Sequence, residues 1–166
     1  MLVPLYHDGA QWQVVLNVRS MRLAEHKGEI AFPGGSMEES DADAQACALR
    51  EAWEEMGIRP EAVDVLGPLD TVLTRTGFIV WPTVGAIPYP YGFKPDLREV
   101  AEVVHAPLRA FLDSASLRCE RRTERDGAAA DRVAYAWAGR LVYGATAVIL
   151  TQLLDAVRGA EQADAA

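Results

Sequence analysis

Cysteine is nearly missing from this chain. The two that occur, Cys47 and Cys119, lie far apart and belong to no ligand-spaced cluster. A disulfide scaffold is thereby excluded, and reduced thiols in a cytoplasmic protein are favoured over a bridge. Long apolar runs are missing too. None approaches the roughly 20 residues that a bilayer span requires, which excludes a membrane protein. The opening Met1–Ala10 has no basic segment followed by a long apolar one, so no signal peptide is expected. Basic side chains are outnumbered, 16 Lys and Arg against 24 Asp and Glu, for a net charge of −8. That balance argues against a nucleic-acid scaffold, since phosphate backbones want a basic face. If so acidic a protein handles a polyphosphate, it needs metal ions or a local Arg and Lys cluster. There is no internal repeat and no interdomain linker. Low complexity is confined to the tail from Gly159 to Ala166, expected to be frayed. What remains is 166 residues, 50% hydrophobic and 24% charged, the profile of one soluble domain over residues 1–158.

Along that domain, Leu2–Tyr6 and Gln13–Val18 bracket an Asp8-Gly9 turn and predict a hairpin. A short strand at Glu29–Phe32 ends at Pro33-Gly34-Gly35. From Asp41 to Met56 the period becomes helical, with Ala42, Ala46, Leu49, Trp53 and Met56 as the apolar stripe. Ser40 or Asp41 is the expected N-cap, and Gly57 stands where a C′ glycine belongs. Strands are expected at Val63–Leu66, Leu69–Leu73, Phe78–Ile87, Val100–His105, Arg118–Arg122 and Val133–Trp137, the last two flanking a turn at Asp126-Gly127. Pro107 opens a short helix to Leu112, and Tyr143–Val157 forms a second long helix. Several strands with one helix in the middle and another at the end predict an α+β or α/β sandwich.

The chemistry concentrates in Arg50-Glu51-Ala52-Trp53-Glu54-Glu55-Met56-Gly57-Ile58. At 100° per residue, with Glu51 at zero, Glu54 falls near about −60° and Glu55 near about +40°. Three carboxylates thus share one arc, with the apolar stripe on the other side. Like charges at i,i+3 and i,i+4 cost a few tenths of a kcal/mol each, and the helix C-terminus disfavours anions further. A helix selected for stability alone would not carry them. Arg50 reaches Glu54 at i,i+4 and offsets part of the repulsion. A solvated acidic face is the plain explanation; a hard divalent cation is the one that turns repulsion into coordination.

With Pro33-Gly34-Gly35 ahead of it, this run resembles the Nudix box, the signature of hydrolases acting on a nucleoside diphosphate linked to another moiety. One departure is an extra residue: Asp41 stands six after Gly35, and Ala42 occupies the usual glutamate position eight before Arg50. The same extra residue occurs in the subfamily that cleaves coenzyme A. Upstream, Leu16-Asn17-Val18-Arg19-Ser20 and Gly28 to Gly35 resemble that subfamily's Leu-Leu-Thr-x-Arg-Ser-x3-Arg-x3-Gly-x3-Phe-Pro-Gly-Gly motif. Asn17 replaces Thr and Ala24 replaces an Arg, with Arg22, Lys27 or Arg19 as substitutes for the lost charge. Thr74–Phe78, Glu99–Val103 and Tyr143–Ala147 are similar to the same group.

The resemblance implies a Nudix-type α/β/α sandwich with a mixed β-sheet and a loop–helix–loop box. It implies Mg²⁺ or Mn²⁺ held by the Gly34 carbonyl, Glu54 and Glu55, with Glu51 as a further ligand or general base. Glu99 and Glu102 are alternative bases, and Arg50 orients the glutamates. Arg19, Ser20 and Gly35 are expected at the substrate. Trp53 reads as core, while Trp81, Tyr89 and Tyr91 stand near a substrate loop. The implied activity is metal-dependent cleavage of coenzyme A or acyl-coenzyme A to adenosine 3′,5′-bisphosphate and (acyl-)4′-phosphopantetheine. ADP-ribose, NADH or altered nucleotides are the alternative substrates, and a non-catalytic ligand-binding domain is the alternative class. The expected partner is a small diphosphate; the apolar C-terminal helix suits either a homodimer or its own sheet.

Overall fold

A computed structural model describes residues 1–123 and 129–164; the turn expected at Asp126-Gly127 lies outside them. Strands β1 (Leu2–His7) and β2 (Trp12–Arg19) form the expected hairpin. Asp8 makes its turn by accepting from the Ala10 and Gln11 N–H groups, each at 2.8 Å. Next come β3 (Ile30–Ala31), α1 (Ala44–Met56), β4 (Asp64–Pro68), the small hairpin β5 (Val72–Leu73) with β6 (Ile79–Val80), and β7 (Thr83–Ala86). The single strand expected over Phe78–Ile87 is two, because Pro82 interrupts the ladder. The chain ends with β8 (Val100–Pro107), α2 (Leu108–Leu112), β9 (Leu117–Thr123), β10 (Ala129–Trp137), β11 (Arg140–Val142) and α3 (Gly144–Asp164). Helix α3 runs past Val157 because Ala160, Glu161, Gln162 and Ala163 are good helix formers. Strand β11 was not expected; it is three residues turned back on β10.

The main sheet is mixed. β2 pairs antiparallel with β8 along one edge. Its other edge is shared, β1 on the first half and β3 on the second. β1 continues the sheet through parallel β7, and β7 through antiparallel β4. Alternation along the strands sends side chains to two cores. Val3, Leu5, Val14 and Leu16 join Ile149, Leu150 and Leu154 of α3 on one face. Leu2, Tyr6 and Val15 join Ala48, Ala52 and Met56 of α1 on the other. A sheet between two helices follows, as the sandwich expectation required. Among the described residues, no helix is long and apolar enough to cross a membrane.

Helix α1 departs from its expected form at two points. Its N-cap is Asp43, whose carboxylate accepts from the Ala46 N–H at 2.7 Å, so neither Ser40 nor Asp41 caps it. Its buried face is Cys47, Ala48, Ala52, Glu55 and Met56, while Trp53 is 46% exposed. Two alanines against the sheet let the helix approach closely, and that contact, more than hydrophobic bulk, sets its rotation. Trp53 instead lines a cleft of about 540 Å³ with Tyr91 and Lys94. Gly57, at φ 69°, closes the helix in the left-handed conformation. Beyond it, the Lys94 N–H donates to the Met56 carbonyl at 3.0 Å and the Asp96 N–H to the Glu55 carbonyl at 2.9 Å.

Candidate active site

β2 carries the strand side of the site. Its positions facing α1 are Val15, Asn17 and Arg19: apolar under the middle of the helix, polar where its last turns pass over. β3 then delivers Gly34 and Gly35 to the flank of α1. A Cβ on Gly35 would stand 2.5 Å from Glu51 Oε1, so only glycine lets that carboxylate lie against the loop. The Gly34 N–H donates to Glu55 Oε2 at 3.3 Å, and Asn17 Nδ2 donates to the same oxygen at 3.2 Å.

Arg50 gathers the remaining acids. Its Nε and Nη2 form a fork on Asp41, both at 2.9 Å, and Nη2 also donates to the Ser36 carbonyl at 3.0 Å. Nη1 lies 3.0 Å from both Glu51 Oε1 and Glu54 Oε2. The planar guanidinium, with five donors in fixed directions, suits this work as an ammonium would not. Asp41 is held well below the usual carboxylate range by these bonds and by the Glu38 N–H. The extra residue between Asp41 and Arg50 therefore leaves room for a separate cap while Asp41 still reaches its arginine.

The electrostatics divide the three glutamates. Glu55 is buried, and burial pushes its carboxyl up to about 7, against the opposing pull of Arg19 and the Gly34 N–H; Glu99 and Glu51 push the same way as burial. Glu51 is raised too, first by burial and then by Glu54 and Glu99, with Arg50 opposing. Glu54 stays 55% exposed on its ion pair with Arg50. Neighbouring carboxylates driven upward by one another and by burial have more negative charge than the protein alone neutralises.

Among the described residues, no three His, Cys, Asp or Glu side chains already converge as a metal-holding group, since Arg50 sits between Glu51 and Glu54. The donor chemistry nevertheless fits a hard divalent cation. The Glu51 and Glu55 carboxylates meet at the Gly34-Gly35 backbone, and Asn17 Oδ1 beside Glu55 is a buried acceptor with no partner among the described residues.

The other expected residues divide as follows. Arg19 stands close enough to Glu55 to act on its charge, and its buried Nε has no partner among the described residues. Ser20 is buried, its hydroxyl accepting from the Arg22 N–H at 3.3 Å within the turn. Glu99 is exposed and felt by both Glu51 and Glu55. Glu102 is taken up by Arg140 Nη2, at 2.8 and 3.0 Å. Tyr89 stacks on Tyr6 with ring centroids 5.2 Å apart, and the Tyr91 hydroxyl donates to the Gly57 carbonyl. Both tyrosines have packing roles. In the sequence Asn17 stands out only as a departure from a motif. Its signal was a polar residue at the α1-facing position of an otherwise apolar strand.

A Gly-Gly loop feeding a helix whose last turns carry clustered carboxylates, on a mixed sheet between two helices, defines the class of this molecule. The family model described as the NUDIX domain matches residues 1–86, and the chain belongs to the Nudix family. It is 48% identical over 99 residues to a Citrobacter koseri protein named uncharacterized Nudix hydrolase NudL. It is 44% identical over 99 residues to the protein of the same name from Escherichia coli K12. Each match covers 60% of this chain and 52% of the relative, so the chain spans about half the length of the curated relatives it matches. Among solved structures, a MutT/nudix family protein from Enterococcus faecalis gives a TM-score of 0.59 at 16% identity, covering 95% of this chain and 60% of that one. A Caenorhabditis elegans Ap4A hydrolase gives 0.56 at 16% identity, covering 65% and 78%. At those identities the likeness is one of fold.

Proposed function

We propose that this chain hydrolyses the diphosphate bond of a nucleoside diphosphate linked to another moiety, and that coenzyme A or an acyl-coenzyme A is the substrate. The observation that carries the hydrolase reading is the meeting of Glu51 and Glu55 on the Gly34-Gly35 backbone, with Glu54 and Arg50 beside them. Retention of Glu51, Glu54 and Glu55 together with Arg50 favours catalysis over a binding module.

Glu51, Glu54, Glu55 and the Gly34 carbonyl would hold Mg²⁺ or Mn²⁺. Such an ion, when bound, supplies charge neutralisation at the diphosphate and a lowered pKa for water. Arg50 keeps the glutamates oriented and takes no part in bond making. Arg19 offers its guanidinium to the diphosphate. Glu99, exposed beside the cluster, takes the proton from the attacking water; Glu102, held by Arg140, does not. Glu51 is tied to Arg50 and suits a ligand's role. Positioning and charge stabilisation provide most of the acceleration. The coenzyme A preference rests on the motif around Arg19 and Ser20. Arg22 and Lys27, exposed in the same loop, stand in for the arginine that Ala24 replaces.

The test is chromatographic product analysis after incubation with coenzyme A, ADP-ribose or NADH, with Mg²⁺ and then Mn²⁺. Adenosine 3′,5′-bisphosphate and 4′-phosphopantetheine formed only with metal, and not by Glu54→Gln/Glu55→Gln, is the expected result. Cleavage of another diphosphate with coenzyme A intact would overturn the substrate and keep the chemistry.

A further inference from the structure

We infer that Asn17 belongs to the cation site of this protein, fixing Glu55 with its amide nitrogen and offering its amide oxygen as an additional donor. The inference rests on the metal-dependent reading above and adds a residue to it. Asn17 is 1% exposed and sits inside the sheet, opposite Ala31 of β3 on one side and Val103 of β8 on the other. Its backbone is therefore held from both edges, and its side chain projects on the α1 side.

The orientation of the amide follows from its neighbour. Glu55 Oε2 already accepts from the Gly34 N–H. The group Asn17 turns toward that oxygen is its NH₂, the one that a cation-bound carboxylate, with no proton to donate, requires. The distance of 3.2 Å is that hydrogen bond. Oδ1 is then forced to the other side of the amide, where it is buried with no partner among the described residues. A buried orphan acceptor is costly, and native structures keep few of them. Placed one amide's width from a buried carboxylate, it is a hard oxygen of the kind Mg²⁺ and Mn²⁺ select. A threonine at this position could offer only one hydroxyl to both tasks; asparagine separates them.

The experiment titrates Mn²⁺ alone, followed by calorimetry, into the wild-type protein and into Asn17→Ala and Asn17→Asp, with thermal melts in EDTA alongside. Alanine removes both functions, and its Mn²⁺ affinity is expected to fall at least tenfold. Aspartate keeps an oxygen donor but loses the N–H. It is expected to melt lower than wild type in EDTA at pH 8, yet to bind Mn²⁺ at least as tightly. Wild-type affinity in Asn17→Ala overturns the inference, as does an Asn17→Asp protein that loses Mn²⁺ to the same degree as Asn17→Ala. Failure of the wild-type protein itself to bind Mn²⁺ overturns the metal-dependent reading and this inference with it.

Discussion

Replacing Glu55 by glutamine should make the metal-free protein more stable and the enzyme inactive. Burial pushes this carboxyl from an ordinary 4.5 up to about 7, so the folded state holds the proton more tightly than the unfolded chain. The sign follows: the folded state loses stability as pH rises from about 4.5 to about 7, and the loss is complete above that. At 1.36 kcal/mol per pKa unit the penalty at pH 8 is about 3 kcal/mol. At pH 5 it is under about 1 kcal/mol. Glutamine escapes it because its amide does not ionise. It can keep both hydrogen bonds, since the Gly34 and Asn17 donors converge on the single oxygen Oε2. For a chain of this size, about 3 kcal/mol corresponds to roughly 6–12 °C in Tm. The assay is thermal melting in EDTA from pH 5 to pH 8. Glu55→Gln should melt higher than wild type at pH 8, and the gap should narrow toward pH 5. Adding Mg²⁺ should raise the wild-type Tm more than the variant's, because only the wild type keeps its full ligand set. A variant that melts below wild type in EDTA at pH 8, or a gap that ignores pH, would refute the reasoning.

Other perturbations separate the remaining roles. Gly35→Ala puts a Cβ where Glu51 Oε1 lies, 2.5 Å away; displacing that carboxylate should lower kcat about a hundredfold, the scale of a 1 Å misplacement, with little change in circular dichroism. Arg50→Lys keeps the charge but offers one nitrogen where Asp41, Glu51, Glu54 and the Ser36 carbonyl now share a fork. Steady-state kinetics should show kcat down at least tenfold, on the order of losing a positioned group. Glu99→Gln should lower kcat about a hundredfold in steady-state assays, the usual worth of a general base. Glu102→Gln, which loses only an exposed ion pair with Arg140, should leave the rate as it was.

Much of this site was legible because helical spacing is strict. Glu51, Glu54 and Glu55 could share an arc only if residues 50 to 56 were helical, and Gly57 marked where that helix stops. The hairpin of β1 and β2 was legible in alternation and in Asp8-Gly9. Trp53 was misplaced because a count of hydrophobic bulk cannot see that Ala48 and Ala52 are the residues small enough to meet the sheet. The cap was misplaced for a related reason: Asp41, Asp43 and Ser40 are all good caps, and only the fold decides that Asp41 is needed at Arg50. The break at Pro82 could have been read from the missing N–H; β11, three residues long, left no periodicity to read. Asn17 needed the sheet register, which puts it level with the last turn of a helix 38 positions away.

The two amides that close the end of α1 have a mechanical consequence. A helix's last turn is ordinarily its loosest part, since its carbonyls lack partners within the helix. Here the carbonyls of Glu55 and Met56 are gripped by the N–H groups of Asp96 and Lys94, two residues of a segment that is itself the approach to β8. Unwinding that turn means lifting the segment off as well. The part of the helix that bears Glu54 and Glu55 therefore opens with the sheet rather than ahead of it. Hydrogen exchange at Lys94 and Asp96 should be as slow as at the helix interior.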